Sequence, residues 1–441
     1  MKYVAPALGT LAALGLFAFS AKDTSTAIAV ERPSHDETFK QLELFADVLA
    51  RVRADYVVEI EDQGLIEDAL NGMLQSLDPH SSYMSAETFR DMQTSQSGEY
   101  GGLGMEVTSE AGFVKVVAPF DDTPAARAGI QPGDYLTEID GESLMGLSLT
   151  EAVDQMRGKP GEPITVTVVR KDVEDSIEVT MVREIIERKP VTAEVKEGLG
   201  YIRISQFNEK TEKTLKEGLA DIKSKLGGRI PGVILDLRRN PGGLLDQSIK
   251  VSSVFLDGGE VVSTRGRRSD DVESYNAERG ELVKNVPIVV IIDNASASAS
   301  EIVAGAIQDR GRGLLIGKTS FGKGSVQSVI PLRGGRDGAL RLTTQRYYTP
   351  SGASIQGSGI EPDIFISNTA NADDDKEFHE SDLPNAIRNE LENQDVDTEE
   401  TEVTVEYPPE DFDFENGDYQ LQRAIEILKD GSYQTLLSAS G

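Results

Sequence analysis

The sequence predicts a multidomain α/β protein with an inserted, mostly-β domain and an N-terminal helical segment. Three observations predict it. Residues 34–96 carry apolar stripes at helical spacing. Residues 98–185 change to short strands punctuated by turn signals. Residues 191–366 carry continuous apolar runs of buried-strand type with helical stretches between several of them. A chain of 441 residues is long enough for two or three domains with buried cores.

Composition narrows the function. A formal charge of −31 argues against nucleic acid or an anionic membrane as the main partner. Residues 371–441 hold 21 Asp/Glu against 4 Lys/Arg, so over half of the imbalance lies in the tail. The absence of cysteine excludes disulfides and thiolate metal sites and fits any redox compartment. No cofactor or metal is expected.

At the N-terminus, Lys2 precedes an uncharged run from Tyr3 to Ala21, followed by Ala27-Ile28-Ala29. A cationic start, an apolar run and a small-residue site read as an export signal over 1–29. The run is also long enough for an uncleaved anchor. Either reading places the rest of the chain outside the cytoplasm, periplasmic or anchored to the outer face of the inner membrane. The bland alternative is a buried N-terminal helix.

Along 34–96, Phe39, Leu42, Ala46, Leu49 and Tyr56 form one stripe, and Leu65, Ile66, Ala69, Leu70, Met73, Leu74 and Leu77 a second. Pro79 ends the second helix. The stripes fit either core packing or self-association, because short helices bury little by themselves. In 97–185, Val114–Val117 and Tyr135–Ile139 read as strands, the latter between Pro132-Gly133-Asp134 and Asp140-Gly141 turns. A helix runs to Met156 after the capping-box pattern Ser148-Leu149-Thr150-Glu151. Ile164–Val169 and Ile177–Val182 alternate as strands. In 186–367, Tyr201–Ser205, Val233–Leu237, Ile288–Ile292 and Leu314–Ile316 read as buried strands. The acidic tail, 368–441, holds a final helix from about Asp418 with Leu421, Ala424, Ile425 and Leu428 on one face. Asp395–Glu406 has too little apolar content to fold alone and is expected to be mobile.

The chemistry concentrates after the strand Ile288–Ile292. There Ser296-Ala297-Ser298-Ala299-Ser300-Glu301 opens a helix. Sites in open α/β sheets form at such strand-to-helix junctions. The helix start supplies free N–H groups suited to an oxyanion, with Ala299 the natural donor. Ser298-Ala299-Ser300-Glu301 is also a capping box, so the serine has a purely structural reading. A second strand–glycine–helix unit, Asn240-Pro241-Gly242-Gly243, offers amides for the other half of an oxyanion hole. Such a donor is worth about 3–4 kcal/mol in a transition state.

A serine nucleophile needs a base, and the three histidines lie far along the chain from it, at 35, 80 and 379. Lys323, between Gly322 and Gly324, is the better candidate. An exposed lysine is a poor base at neutral pH, but burial disfavours its ammonium form. Gln327 lies four residues on. On one strand that spacing would share a face with Lys323 and orient the amine without recharging it. Competing motifs fail. Gly317–Lys323 fits the phosphate-loop glycine and lysine spacing, but Gly324 stands where the magnesium hydroxyl belongs and a strand is expected next. Gly102-Leu103-Gly104 lacks the third glycine of a dinucleotide loop.

Together, Leu77-Asp78-Pro79-His80-Ser81-Ser82-Tyr83, Leu237–Gly243, Ser296–Glu301, Phe321–Gln327 and Thr349-Pro350-Ser351-Gly352 leading to Gly359-Ile360-Glu361-Pro362-Asp363 resemble the carboxyl-terminal processing peptidases, or tail-specific proteases. The resemblance spans about 40–367, with a fainter echo in Asp418–Lys429. It implies a crotonase/ClpP-like Ser/Lys peptidase core with an inserted PDZ domain, Ser298 as nucleophile, Lys323 as base and Gln327 assisting. It implies that Gly102, Leu103, Gly104 and Met105 form a carboxylate-binding loop where a peptide adds as a strand. Arg157 is either a cationic contact to that peptide or a solvated helix-end charge.

The expectation is an exported serine endopeptidase that takes protein substrates by their C-termini. Self-association through the N- and C-terminal helices and an adaptor protein are further expected partners. The rival is a catalytically silent PDZ scaffold, and a nucleotide-binding protein is a more distant one.

Overall fold

The structure, a computed structural model, describes residues 35–110, 113–120, 122–147, 149–171, 173, 175–187, 189–370, 377–389, 405–414 and 417–439. The expected signal or anchor over 1–29 lies outside them, as do 395–404 of the expected mobile stretch. Among the described residues, no helix is long and apolar enough to cross a membrane.

The chain divides into two units between Leu65 and Ile66. In the first, α1 (His35–Asp55) starts on Asp36 and Glu37 and ends on Arg53, charges that suit the helix dipole. Its Phe39, Leu42, Phe45 and Val48 are exposed. Helix α2 (Asp62–Gln75) starts in this unit and continues into the second.

The second unit then turns sharply at Asp78. That carboxylate accepts the amides of His80 and Ser81 and the Ser81 hydroxyl. The turn delivers β1 (Ser82–Met84), which pairs antiparallel with residues 339–341. The stretch 34–96 is therefore not helical throughout: local bonding to Asp78 redirects the chain into a sheet. Helix α3 (Ala86–Ser97) follows, capped by Ser85, whose hydroxyl accepts the Thr88 amide, and closed by Gly98 at φ 73°.

The inserted domain is bracketed by β2 (Glu99–Gly102) and, at its end, residues 184–187, which pair antiparallel so that both crossings leave side by side. Between them lie β3 (Met105–Glu110), β4 (Phe113–Pro119), α4 (Pro124–Arg127), β5 (Tyr135–Ile139), β6 (Glu142–Ser143), α5 (Leu149–Met156), β7 (Pro163–Val169) and β8 (Ile177–Val182), and the closing bracket is β9 (Glu184–Glu187). The sheet runs β3-β4-β5-β7-β8, with β6 on β5. Alternate residues, such as Ile164, Val166 and Val168, point into a core closed by Ala152 and Met156 of α5.

The core domain comprises β10 (Val191–Lys196), β11 (Leu199–Ile204), α6 (Thr211–Lys225), β12 (Val233–Asp236), α7 (Leu245–Phe255), β13 (Glu260–Gly266), β14 (Val272–Asn276), β15 (Ile288–Ile292), α8 (Ala299–Asp309), β16 (Leu314–Gly317), β17 (Ser325–Pro331), β18 (Ala339–Tyr348) and β19 (Ile364–Phe365). Its main sheet runs β10-β11-β12-β15-β16-β19 and is parallel from β11 onward. The continuous apolar runs bury both faces. Val233 and Leu235, with Ile288, Val290 and Ile292, meet α6, α7 and α8. The intervening Ile234, Val289 and Ile291 meet α9 (Tyr419–Lys429) and α10 (Tyr433–Ala439). The tail helices thus complete a three-layer sandwich. A second, antiparallel sheet is built on β18, with β17 on one edge and β1 and β13 on the other.

Arg238 fastens the tail to the sheet. Its guanidinium donates to both oxygens of Asp236, at 2.9 and 2.6 Å, and to both of Asp418, at 2.8 and 2.7 Å. Asp418 also caps α9 by accepting the Leu421 amide. Burial alone would push the Asp236 carboxyl up, but Arg238 outweighs it and holds it below the ordinary aspartate range. Replacing Arg238 with alanine removes the main counter-charge of the fully buried Asp236 carboxylate, leaving the Tyr201 hydroxyl, Arg203 at 3.3 Å and a backbone amide, an effect worth about 3–5 kcal/mol. The expected outcome in Arg238→Ala is that loss in urea unfolding, with faster amide exchange in 419–439.

Candidate active site

The strand β15 ends at Ile292, and the chain turns through 293–298 before α8. The Ser296 hydroxyl donates to the Leu237 carbonyl at 2.9 Å and accepts the Asp293 amide. This locks the turn against the end of β12. Ser298 takes φ 56° and ψ −112°, a conformation that costs a non-glycine residue about 1–3 kcal/mol. Such strain persists only where neighbours over-determine it, and here they do.

Glu301 is one neighbour. It is fully buried, and its carboxylate accepts the Ser298 amide at 2.6 Å, the Ser320 hydroxyl at 2.6 Å, the Gly322 amide at 2.7 Å and the Lys323 amide at 3.0 Å. A single oxygen, Oε2, takes both the Ser298 and Lys323 amides, so the serine turn and the lysine loop lie within one carboxylate's reach. Burial pushes this carboxyl up to about 7, against the pull of its four donors. The capping-box pattern of the sequence is present at the start of α8, with Glu301 bonding the Ser298 amide.

Gly242 is the other neighbour. A Cβ there would lie 2.6 Å from the Ala297 carbonyl oxygen and 2.8 Å from both the Ala299 nitrogen and the Ser298 Cβ. With φ 95°, only glycine fits. Asn240 binds the two turns together: its carbonyl accepts the Ala297 amide and the Ser300 hydroxyl, each at 2.9 Å. Its side chain also corrects one expectation. Asn240 Oδ1 accepts the Gly242 amide at 2.9 Å, so that donor is engaged. The other two expected donors, the Gly243 and Ala299 amides, are not taken by this side chain.

Lys323 sits on the loop between β16 and β17, partly buried. Desolvation depresses its ammonium below the ordinary lysine range of 10.5, Glu380 opposes this, and Arg341 reinforces it. The expected strand alternation with Gln327 fails. The strand starts only at Ser325, and a bulge between Val326 and Gln327 breaks the register. Gln327 belongs instead to a polar chain. Its Nε2 donates to Ser325 Oγ at 2.9 Å and Thr343 Oγ1 at 3.3 Å, and Thr343 Oγ1 donates to Asp78 at 3.0 Å. The strand after Lys323 also removes the phosphate-loop reading, which needs a helix there.

In the inserted domain, Gly102, Leu103, Gly104, Met105 and Arg157 together line a cavity of ≈ 70 Å³ beside α5. Gly104, at φ 75°, leaves no room for a Cβ beside Thr123, whose hydroxyl donates to the Gly104 carbonyl. Arg157 lies over the Tyr100 ring at 5.5 Å. Among the described residues no cluster of metal-ligating side chains occurs.

Sequence reasoning treated Glu301 only as a cap partner and assigned no role to Asp78, Thr343 or Glu380. The only signal for Asp78 was its place in the Leu77–Tyr83 motif.

Comparison with known proteins gives three family matches: peptidase family S41 over 198–366, a PDZ domain over 115–170 and the N-terminal domain of the activating protease CtpB over 4–88. The chain is 55% identical over 334 residues to a carboxy-terminal-processing protease of Bartonella bacilliformis, covering 76% of each. It is 33% identical to the carboxy-terminal processing protease CtpB of Bacillus subtilis, covering 78% of this chain and 72% of that one. A probable CtpA-like serine protease of Staphylococcus epidermidis is 35% identical, and the chain spans 64% of its length. Among solved structures, a photosystem II D1 C-terminal processing protease matches with TM-score 0.45 and 28% identity, over 75% of this chain and 86% of that one.

Two substitutions probe this geometry. Glu301→Ala leaves four buried donors without their acceptor, so a stability loss of about 2–5 kcal/mol is expected in denaturant titration. Gly242→Ala is expected to lower the melting temperature and to displace the Ser298 turn in a crystal structure.

Proposed function

The chain belongs to peptidase family S41, the carboxy-terminal-processing proteases with an inserted PDZ domain, and from that premise we propose a Ser298/Lys323 endopeptidase that acts outside the cytoplasm. The observation that carries the reading is the Glu301 carboxylate, which ties the backbone of Ser298 to that of Lys323.

In this mechanism the Ser298 hydroxyl attacks the scissile carbonyl while the neutral Lys323 amine takes its proton. The oxyanion meets the Gly243 and Ala299 amides. The lysine ammonium returns the proton to the leaving amine, and the acyl group stays on Ser298. Water then attacks the ester, again with Lys323 as base, and releases the new C-terminus. Gln327 already spends its Nε2 on two hydroxyls, which leaves Oε1 to orient the lysine.

The PDZ cavity supports recognition of substrate C-termini by a carboxylate in the Gly102–Met105 loop. Arg157 stands at its rim as a cation. The charge pattern of residues 1–29 supports export, as a cleaved signal or a retained anchor. Exposed apolar residues on α1 support self-association, and the same surface is open to an adaptor.

Ser298→Ala and Lys323→Ala are each expected to lower kcat by about 10⁴-fold or more on an unstructured polypeptide, with the fold intact by circular dichroism. Retained turnover in either overturns the mechanism. The base must be neutral, so kcat/KM rises with pH as Lys323 loses its proton. Because burial depresses that ammonium, the rise is expected below 10.5. A peptide with an amidated C-terminus is expected to compete more weakly than its free acid for binding to the inactive Ser298→Ala protein.

A further inference from the structure

Two of the three histidines return to the lysine loop through the chain's tail. His379 Nδ1 lies 3.2 Å from the Ser320 carbonyl oxygen. His80 Nε2 lies 2.9 and 2.8 Å from the two oxygens of Glu380. The Glu380 side chain is 1% exposed, and its backbone amide donates to the Phe321 carbonyl at 2.9 Å. Gln356 Nε2 donates to Glu380 Oε1 at 3.1 Å and to the Ile387 carbonyl at 3.0 Å. The Phe378 and Phe321 rings meet at 6.3 Å. Residues 377–389, beyond the part of the chain that matches the peptidase family, are therefore laid on the loop that carries Lys323.

Beside burial, which acts most strongly, Glu380, Arg341, Glu301 and Asp78 bear on the Lys323 ammonium. Glu301 is engaged by four donors, and Asp78 by the His80 and Ser81 amides and the Ser81 and Thr343 hydroxyls. Both carboxylates are thus committed to holding backbone and turns. Glu380 is held instead by the His80 and Gln356 side chains. The other two carboxylates of the segment have their own partners, while Arg388 adds a positive charge to it. Glu377 faces Lys318 and His379, and Asp382 accepts the His379 amide.

We propose that Glu380 is a positioning residue for the Lys323 amine: it clasps the tail to the lysine loop and supplies the buried negative charge that sets how readily the amine gives up its proton. His80 and Gln356 hold that carboxylate in place. A nearby negative charge favours the ammonium, while burial and Arg341 favour the neutral amine. Removing the Glu380 charge then makes the base available at lower pH, and removing the Arg341 charge makes it available only at higher pH.

This proposal rests on the reading of Lys323 as the base, and its test is separable from it. The full chain carrying Ser298→Ala is labelled competitively with acetic anhydride across pH, and acetylation of Lys323 is followed by mass spectrometry. Adding Glu380→Gln is expected to move the titration point of Lys323 to lower pH, and Arg341→Gln to move it higher. In the chain with Ser298 intact, Glu380→Gln is expected to raise kcat/KM about threefold or more on the acid limb. Phe378→Ala, at a ring that is 53% exposed, loosens the clasp without touching the core and is expected to shift the titration as Glu380→Gln does. An unchanged titration point in Glu380→Gln, or in Phe378→Ala should Glu380→Gln not fold, overturns the proposal, even where melting temperature or kcat falls. A chain that cleaves no peptide yet shows the shift refutes the peptidase mechanism and leaves the positioning role standing.

Discussion

One buried carboxylate organises the site. Glu301 sits on the first turn of α8 and takes hydrogen bonds from the serine turn in front of it and from the lysine loop beside it. Burying a carboxylate costs several kcal/mol before compensation. Four donors offset that cost, and three of them are backbone amides, groups that a folded chain must pair. The carboxylate and the loops are therefore mutually dependent. Without Glu301 the amides are stranded, and without the loops the charge is.

The same logic recurs on the opposite face of the sheet. Asp236 closes β12 and stays buried because Arg238 covers it, and Arg238 stays buried because Asp418 completes its partners. Tyr201 adds its hydroxyl to Asp236 at 2.8 Å. This hub lets α9 lie on Ile234, Val289 and Ile291, whose apolar side chains would otherwise face water. The sheet whose strand ends carry the serine turn is thus complete only when residues some 120 positions further on return to it.

Local sequence made much of this legible. The apolar runs 233–237 and 288–292 give strands because β-branched and leucine side chains fill both faces of a parallel sheet. The junction at Ser298 was readable because a strand, a small-residue turn and a helix follow in order. The pairing of Gly242 with Ser298 was not, since nothing local says that two separate turns will touch with no room for a Cβ. Nor was the capture of the Gly242 amide by Asn240, which depends on one side-chain rotamer. The alternation argument for Lys323 and Gln327 failed because it assumed a strand two residues too early and missed the bulge. His80 and Glu380 are 300 residues apart, and neither carries a periodic signal that could have joined them.

The strain at Ser298 links these observations. A residue at φ 56° relaxes unless something prevents it. Here the Glu301 carboxylate holds the amide of Ser298, Gly242 walls its Cβ, and Asn240 pins the residues on either side through Ala297 and Ser300. About 1–3 kcal/mol of backbone strain is small beside the combined hold of these bonds. What the hold secures is the place of Ser298 at the start of α8, where the carboxylate oxygen that takes its amide also takes the amide of Lys323, so the serine turn and the lysine loop share one fastening.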